Sequence, residues 1–223
     1  YATQFFKTSG YICGGIKVFL IAGTKGVLAG LDDYLIETTQ QRLKQLGVKV
    51  ISGTQVSKVE ENRVHLSNGD SLDMNYMIWT GGIIAAPVLE ELDVEKVGQN
   101  YLVVNDKLQV SKYENVFAIG DCAVIKDENG NNMPPTAQTA ERSGIECAKN
   151  ILAHLDGKEM KSVKLKFDGV LVALGGKYAA AYLLNKFRFS GYLAYFVKSC
   201  ISVYYKSSLV KRCKKGAKFM ESK

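Results

Sequence analysis

Apolar and polar positions along this chain follow two periods, and the switches between them mark its organisation. Lys17 to Ile21 (KVFLI) is a short apolar run, the pattern of a buried strand, and Ala22-Gly23-Thr24-Lys25-Gly26 is predicted as the loop at its carboxyl end. Leu31 to Leu46 has helical spacing. Asp32 and Asp33 start it, Leu35, Ile36, Leu43 and Leu46 mark an apolar face, and Gly47 ends it. Val48–Ile51 is the next strand. A strand, helix, strand order predicts a parallel pair with a right-handed crossover. Upstream, Tyr1 to about Thr8 reads as the end of a helix closed by Ser9-Gly10.

From Val56 to Ile78 the period becomes two. Val56–Glu60, Arg63–Leu66 and Ser71–Asp73 are predicted strands of an antiparallel meander, with turns at Glu61-Asn62 and Asn68-Gly69. Met77-Ile78-Trp79-Thr80 is predicted to return to the sheet, and Gly81-Gly82 to terminate it. Val103-Val104 and Gln109-Val110 read as short strands, and Val116–Ile119 as a strand buried on both faces. Lys126 to Met133 is a polar loop. Pro134 and Pro135 suit a helix's first turn, and the helical run lasts to about His154. Phe167 to Leu174 is strand-like and ends in Gly175-Gly176. Gly191 to about Tyr205 is helical, with Leu193, Phe196, Val197, Cys200 and Tyr204 on one face and Lys198, Ser199, Ser202 and Lys206 opposite.

Charge sharpens the picture at the carboxyl end. Residues 151–223 carry 15 lysines and arginines against 4 acids, a net of +11, whereas residues 1–150 are net −4. A basic tail on an acidic body suggests a polyanionic surface as partner. The apolar helix face, the nearby tyrosines and Lys211-Arg212-Cys213-Lys214-Lys215 favour anionic lipid, through residues 191–215, over nucleic acid. Lys198 interrupts the segment, so it suits lying in an interface rather than crossing a bilayer. The five cysteines are scattered without a CxxC, and the two histidines, His65 and His154, support neither a metal site nor a Ser-His-Asp triad.

The candidate chemistry centres on Asn115-Val116-Phe117-Ala118-Ile119-Gly120-Asp121-Cys122-Ala123. Gly120 lets another backbone or a cofactor come close. Asp121 puts a carboxylate at a strand's carboxyl end, where ligands sit in open α/β sheets. The following helix offers its positive N-terminal end. These nine residues resemble the second flavin-binding motif of the two-dinucleotide flavoprotein oxidoreductases. Pro134-Pro135-Thr136-Ala137-Gln138 narrows the resemblance to the type II NADH:quinone oxidoreductases, the single-subunit respiratory NADH dehydrogenases.

That resemblance implies an α/β fold of partial Rossmann-like FAD/NAD(P)-binding domains, with an inserted antiparallel meander and a carboxyl-terminal amphipathic helix. Residues 1–83 would be the second half of the NADH-binding domain, 84–155 the returning part of the FAD domain, and 156–223 the membrane-associating region. It implies hydride transfer from NADH to FAD and electron transfer to a quinone, with no catalytic acid or base. Gly120, Asp121, Ala123, Thr136, Ala137 and Gln138 would hold the flavin, and Thr80, Gly81 and Gly82 would face the dinucleotide. Ala137, Gln138, Lys177 and Tyr178 would line the quinone approach. The protein would be peripheral, on the cytoplasmic face of the membrane.

No GxGxxG occurs in the chain. The expectation is therefore a carboxyl-terminal fragment, inactive alone, whose exposed surface would favour a homodimer. One departure concerns the dinucleotide: Ala22 stands where an acidic residue usually binds the adenosine ribose, and Lys25 follows, which leaves NADH against NADPH open. Two alternatives remain: a sulfide:quinone oxidoreductase-like flavoenzyme, which needs a redox cysteine pair near the flavin, and a non-catalytic membrane-binding module.

Overall fold

The computed structural model describes the backbone of residues 16–221 and the side chains of residues 16–214. The helix end expected at Tyr1–Thr8 lies outside the described residues. The chain forms two compact units: one from the residues up to Met77 together with those from Asp168 onward, the other from Ile78 to Phe167. The carboxyl-terminal region expected at 156–223 is thus shared. Residues 156–167 belong to the second unit and the rest to the first.

In the first unit, β1 (Val18–Ala22) and β2 (Val48–Ser52) pair in parallel, with Val18 opposite Val48 and Ala22 opposite Ser52. Parallel strands cannot be joined by a tight turn, and α1 (Asp33–Gln45) provides the crossover. The Asp32 carboxylate caps it by accepting from the Tyr34 N–H, and Gly47, at φ +73°, closes it after Leu46. β1 is a strand as expected but is not buried. Among the described residues it pairs with β2 alone, and Val18 and Phe19 are exposed.

The meander forms at the predicted residues. β3 (Val56–Glu60), β4 (Arg63–Leu66) and β5 (Ser71–Asp73) pair antiparallel, with Gly69 at φ +92° in the Asn-Gly turn. Val64 and Leu66 point inward.

Two helices sandwich the unit's third sheet, β9 (Gly169–Ala173), β10 (Ala179–Leu183) and β11 (Phe187–Gly191). Side chains on β10 alternate between its faces. Ala180 packs with Leu35 of α1 and with Leu174; Ala179 and Ala181 pack with Ala194 of α3 (Tyr192–Glu221). All four alanines are fully buried, as is Leu35. Arg188 of β11 grips both oxygens of Asp32, at 2.9 and 2.8 Å, and stacks on the Tyr182 ring. Arg42 lies over the Tyr178 ring and donates to the Leu174 carbonyl at 3.4 Å.

In the second unit, β7 (Tyr101–Val103) pairs antiparallel with β6 (Lys96–Val97) and parallel with β8 (Ala123–Val124). α2 (Ala137–Leu155) covers a cluster of Leu108, Ile125, Met133, Cys147 and Leu165. Three expectations need correction. Met77–Thr80 is irregular rather than a strand, and Ile78 and Trp79 are exposed. Val116–Ile119 is extended, but among the described residues its strand-like pairing is limited to residues 108–110, through one bridge between Phe117 and Gln109. With pairing on one side only, Ala118 is buried while Ile119 is not. The prolines precede α2, whose cap is Thr136.

Among the described residues, no helix is long and apolar enough to cross a membrane.

Candidate functional site

The backbone reaches the site along Leu108–Val110. The Val110 N–H donates to the Val116 carbonyl at 2.9 Å, and the Ala118 N–H to the Leu108 carbonyl at 3.1 Å. Ile119 is extended, and Gly120–Cys122 then forms one tight helical turn that enters β8 at Ala123. Gly120 adopts φ +64°, a conformation open to glycine at little cost. A Cβ there would stand 3.3 Å from the Ala140 Cβ. Gly120 therefore lets the turn sit directly against the first turn of α2.

Ser143 locks that contact. Its fully buried hydroxyl accepts from the Gly120 N–H at 3.2 Å and donates to the Ala140 carbonyl at 3.2 Å. The start of the helix is fixed as well. The Thr136 hydroxyl accepts from the Thr139 N–H, and the Thr139 hydroxyl donates to the Pro134 carbonyl at 2.7 Å. The positive end of the α2 dipole is thus held beside the Gly120 turn. Asp121, next to Gly120, is exposed. Ala137 is exposed, Gln138 half-buried, and Ala123 half-buried in β8. The structure therefore brings Gly120, Asp121, Ala123, Thr136, Ala137 and Gln138 into one turn-on-helix arrangement.

Thr80, Gly81 and Gly82 belong to the same unit but to its irregular stretch. Gly81 lies on the Trp79 ring, where a Cβ would come within 2.6 Å, and Gly82 has φ +103°. Lys177 and Tyr178 belong to the other unit. Lys177 is exposed. Tyr178 is a packing residue, its ring beneath Arg42 and against Leu35 and Leu174, its hydroxyl 3.3 Å from that of Ser190.

Ser143 and Asn150 escaped the reading of residue patterns. Thr139, Ser143, Cys147 and Asn150 form the buried stripe of α2, at helical spacing but mostly polar, so a search for apolar periodicity passes over it. Asn150 donates to the carbonyls of Lys107 and Lys161 and accepts from the Lys161 N–H, which ties the loop after α2 to the core. Burial pushes the Cys147 thiol pKa up, so it stays protonated. The described cysteines are all free.

Residues 2–144 match the model of the pyridine nucleotide-disulphide oxidoreductase family. The chain belongs to that family. Within this family it is similar to a type II NADH:quinone oxidoreductase of Haemophilus influenzae, 33% identical over 173 residues, covering 77% of this chain and 39% of that protein. A probable NADH dehydrogenase of Dictyostelium discoideum is 31% identical over 182 residues, covering 81% of this chain and 40% of that protein. The chain thus spans about two fifths of the length of these relatives.

Two solved structures share the fold. NDH2 from Plasmodium falciparum in complex with NADH superposes with a TM-score of 0.72 at 16% identity, over 85% of this chain and 54% of that one. The sulfide:quinone oxidoreductase of Aquifex aeolicus gives 0.72 at 16%, over 91% and 52%. The Rossmann-like fold that the resemblance implied is thereby borne out.

Proposed function

We propose that the chain supplies part of an FAD-dependent NADH:quinone oxidoreductase: residues 1–83 the second half of the dinucleotide domain, 84–155 the returning part of the flavin domain, and 156–223 a membrane-associating region. The observation that carries the proposal is the Gly120 turn seated on α2. Gly120 lets its turn pack directly on Ala140 and Ser143 of α2, the Asp121 carboxylate is exposed beside it, and a helix positive end is fixed next to both. These features suit the sugar and pyrophosphate side of a flavin dinucleotide. When bound, the flavin supplies the hydride acceptor and the electron donor to quinone.

The chain's own residues bind and orient. Asp121 would accept a hydrogen bond from a ribityl hydroxyl, with Gly120 holding the turn that presents it. Ala123 and the backbone of Thr136–Gln138 would face the ring, where the α2 dipole would favour negative charge. Thr80, Gly81 and Gly82 would face the nicotinamide dinucleotide. Ala137 and Gln138 would stand on the quinone side.

Helix α3 supports the membrane assignment. Its buried position is Ala194, whereas Leu193, Phe196 and Tyr204 are 59%, 54% and 77% exposed. From Cys200 to Ser207 every residue is exposed, apolar and charged alike, and Lys211, Arg212 and Lys214 follow, all exposed. This is the arrangement of a helix lying in an anionic interface, here on the cytoplasmic side, with self-association into a homodimer.

The test is quinone reduction by the whole protein with lipid vesicles, with NADH or sulfide as donor. NADH-driven turnover that disappears together with bound flavin in Asp121→Ala supports the proposal. A flavoprotein that ignores NADH and oxidises sulfide contradicts it.

A further inference from the structure

The end of β1 has an unusual charge balance for a dinucleotide site. Where an unphosphorylated dinucleotide binds, a carboxylate at the strand end accepts from the adenosine ribose 2′-hydroxyl; a 2′-phosphate calls for a cation instead. Here the strand ends at Ala22, opposite Ser52. Residues 17–31 and 48–59, which include both strand ends and their loops, contain no Asp or Glu. The first carboxylate downstream, Asp32, is committed elsewhere: it takes both nitrogens of Arg188 and the Tyr34 N–H, and the guanidinium holds its pKa below the usual carboxylate range.

The loop is also organised. The Thr24 carbonyl accepts from the Gly53 N–H at 2.8 Å, and the Thr24 hydroxyl donates to the Gly26 carbonyl at 2.7 Å. Lys25 is therefore carried on a loop tied to the end of β2, and Lys25, Thr24 and Ser52 are all exposed.

We infer that this site takes the 2′-phosphorylated dinucleotide, NADPH, at least as well as NADH. Lys25 meets the 2′-phosphate, and Ala22 removes the carboxylate that would repel it. The inference rests on the dinucleotide site proposed above.

The test is calorimetric titration of the whole flavoprotein with NADP+ and NAD+, which measures binding without turnover. NADP+ is expected to bind as tightly as NAD+ or more tightly. Lys25→Ala should weaken NADP+ about tenfold and change NAD+ less than about twofold, and the difference should shrink at high salt. Ala22→Glu should reverse the preference. Wild-type protein that binds NAD+ about tenfold more tightly, with Lys25→Ala altering neither nucleotide or both equally, would overturn the inference while leaving the dinucleotide site standing. A flavin-loaded protein that binds neither nucleotide would overturn both.

Discussion

Replacing Gly120 with alanine tests the central contact at its narrowest point. The residue sits at φ +64°, where an L side chain costs about 1–2 kcal/mol. The added methyl also stands 3.3 Å from the Ala140 Cβ, so the turn and helix must separate by a few tenths of an ångström. That separation stretches the Gly120 N–H bond to Ser143, already 3.2 Å long. The combined destabilisation is roughly 1–3 kcal/mol.

Gly144 is the matched control one turn along. It is a helix-interior residue whose Cβ would make an ordinary 3.6 Å contact with Ile119. Gly144→Ala should therefore stabilise by roughly 0.5–1 kcal/mol. Urea unfolding followed by circular dichroism measures both changes, and hydrogen exchange in α2 localises them. If Gly120→Ala is as stable as wild type, or if both variants shift in the same direction, the turn does not bear on the helix as described.

Three further outcomes are expected. Arg188 lowers the Asp32 pKa, so the stability it adds is present above the unfolded value of about 4 and lost as pH falls through that range. The wild-type advantage over Arg188→Met in urea should accordingly be seen at neutral pH and vanish in acid. Leu35→Ala should cost roughly 2–5 kcal/mol, since the side chain is fully buried between α1 and β10, and a smaller loss by denaturant titration would mean the site collapses around the cavity. Phe196→Ser with Tyr204→Ser should weaken binding to anionic vesicles at least about tenfold at unchanged helix content, because each aromatic forfeits about 1.5–3 kcal/mol of burial; unchanged sedimentation with vesicles would place the membrane contact elsewhere.

Local patterns were the most legible part of the fold. The meander strands appear at the expected residues because alternation and an Asn-Gly turn act within a few positions. Helix α1 is bracketed by Asp32 and Gly47 for the same reason. What depends on neighbours distant in sequence was less legible. Val18 and Phe19 read as buried, but burial depends on what other segments pack on the faces of the sheet, and among the described residues both stay exposed. Val116–Ile119 falls short of a full strand because its pairing among the described residues is limited to residues 108–110. The prolines were assigned to the first turn of α2 because their geometry fits it, yet Thr136 offers a hydroxyl that caps the helix and leaves them outside.

At the site, the Gly120-Asp121 motif was visible in the residues, whereas its anchor, Ser143, was not. A serine is buried there because its hydroxyl satisfies a backbone N–H that the φ of Gly120 aims at the helix.

The most direct measurement is the flavin content of the whole protein, wild type against Asp121→Ala and Ser143→Ala, purified identically and followed by absorbance and by titration with FAD. The account predicts one flavin per wild-type chain. It predicts affinity weakened at least about tenfold in Asp121→Ala, which loses a charge-assisted hydrogen bond, and a smaller loss in Ser143→Ala, which only loosens the turn. Wild-type protein without flavin, or an Asp121→Ala variant that retains it with undiminished affinity, would contradict the account.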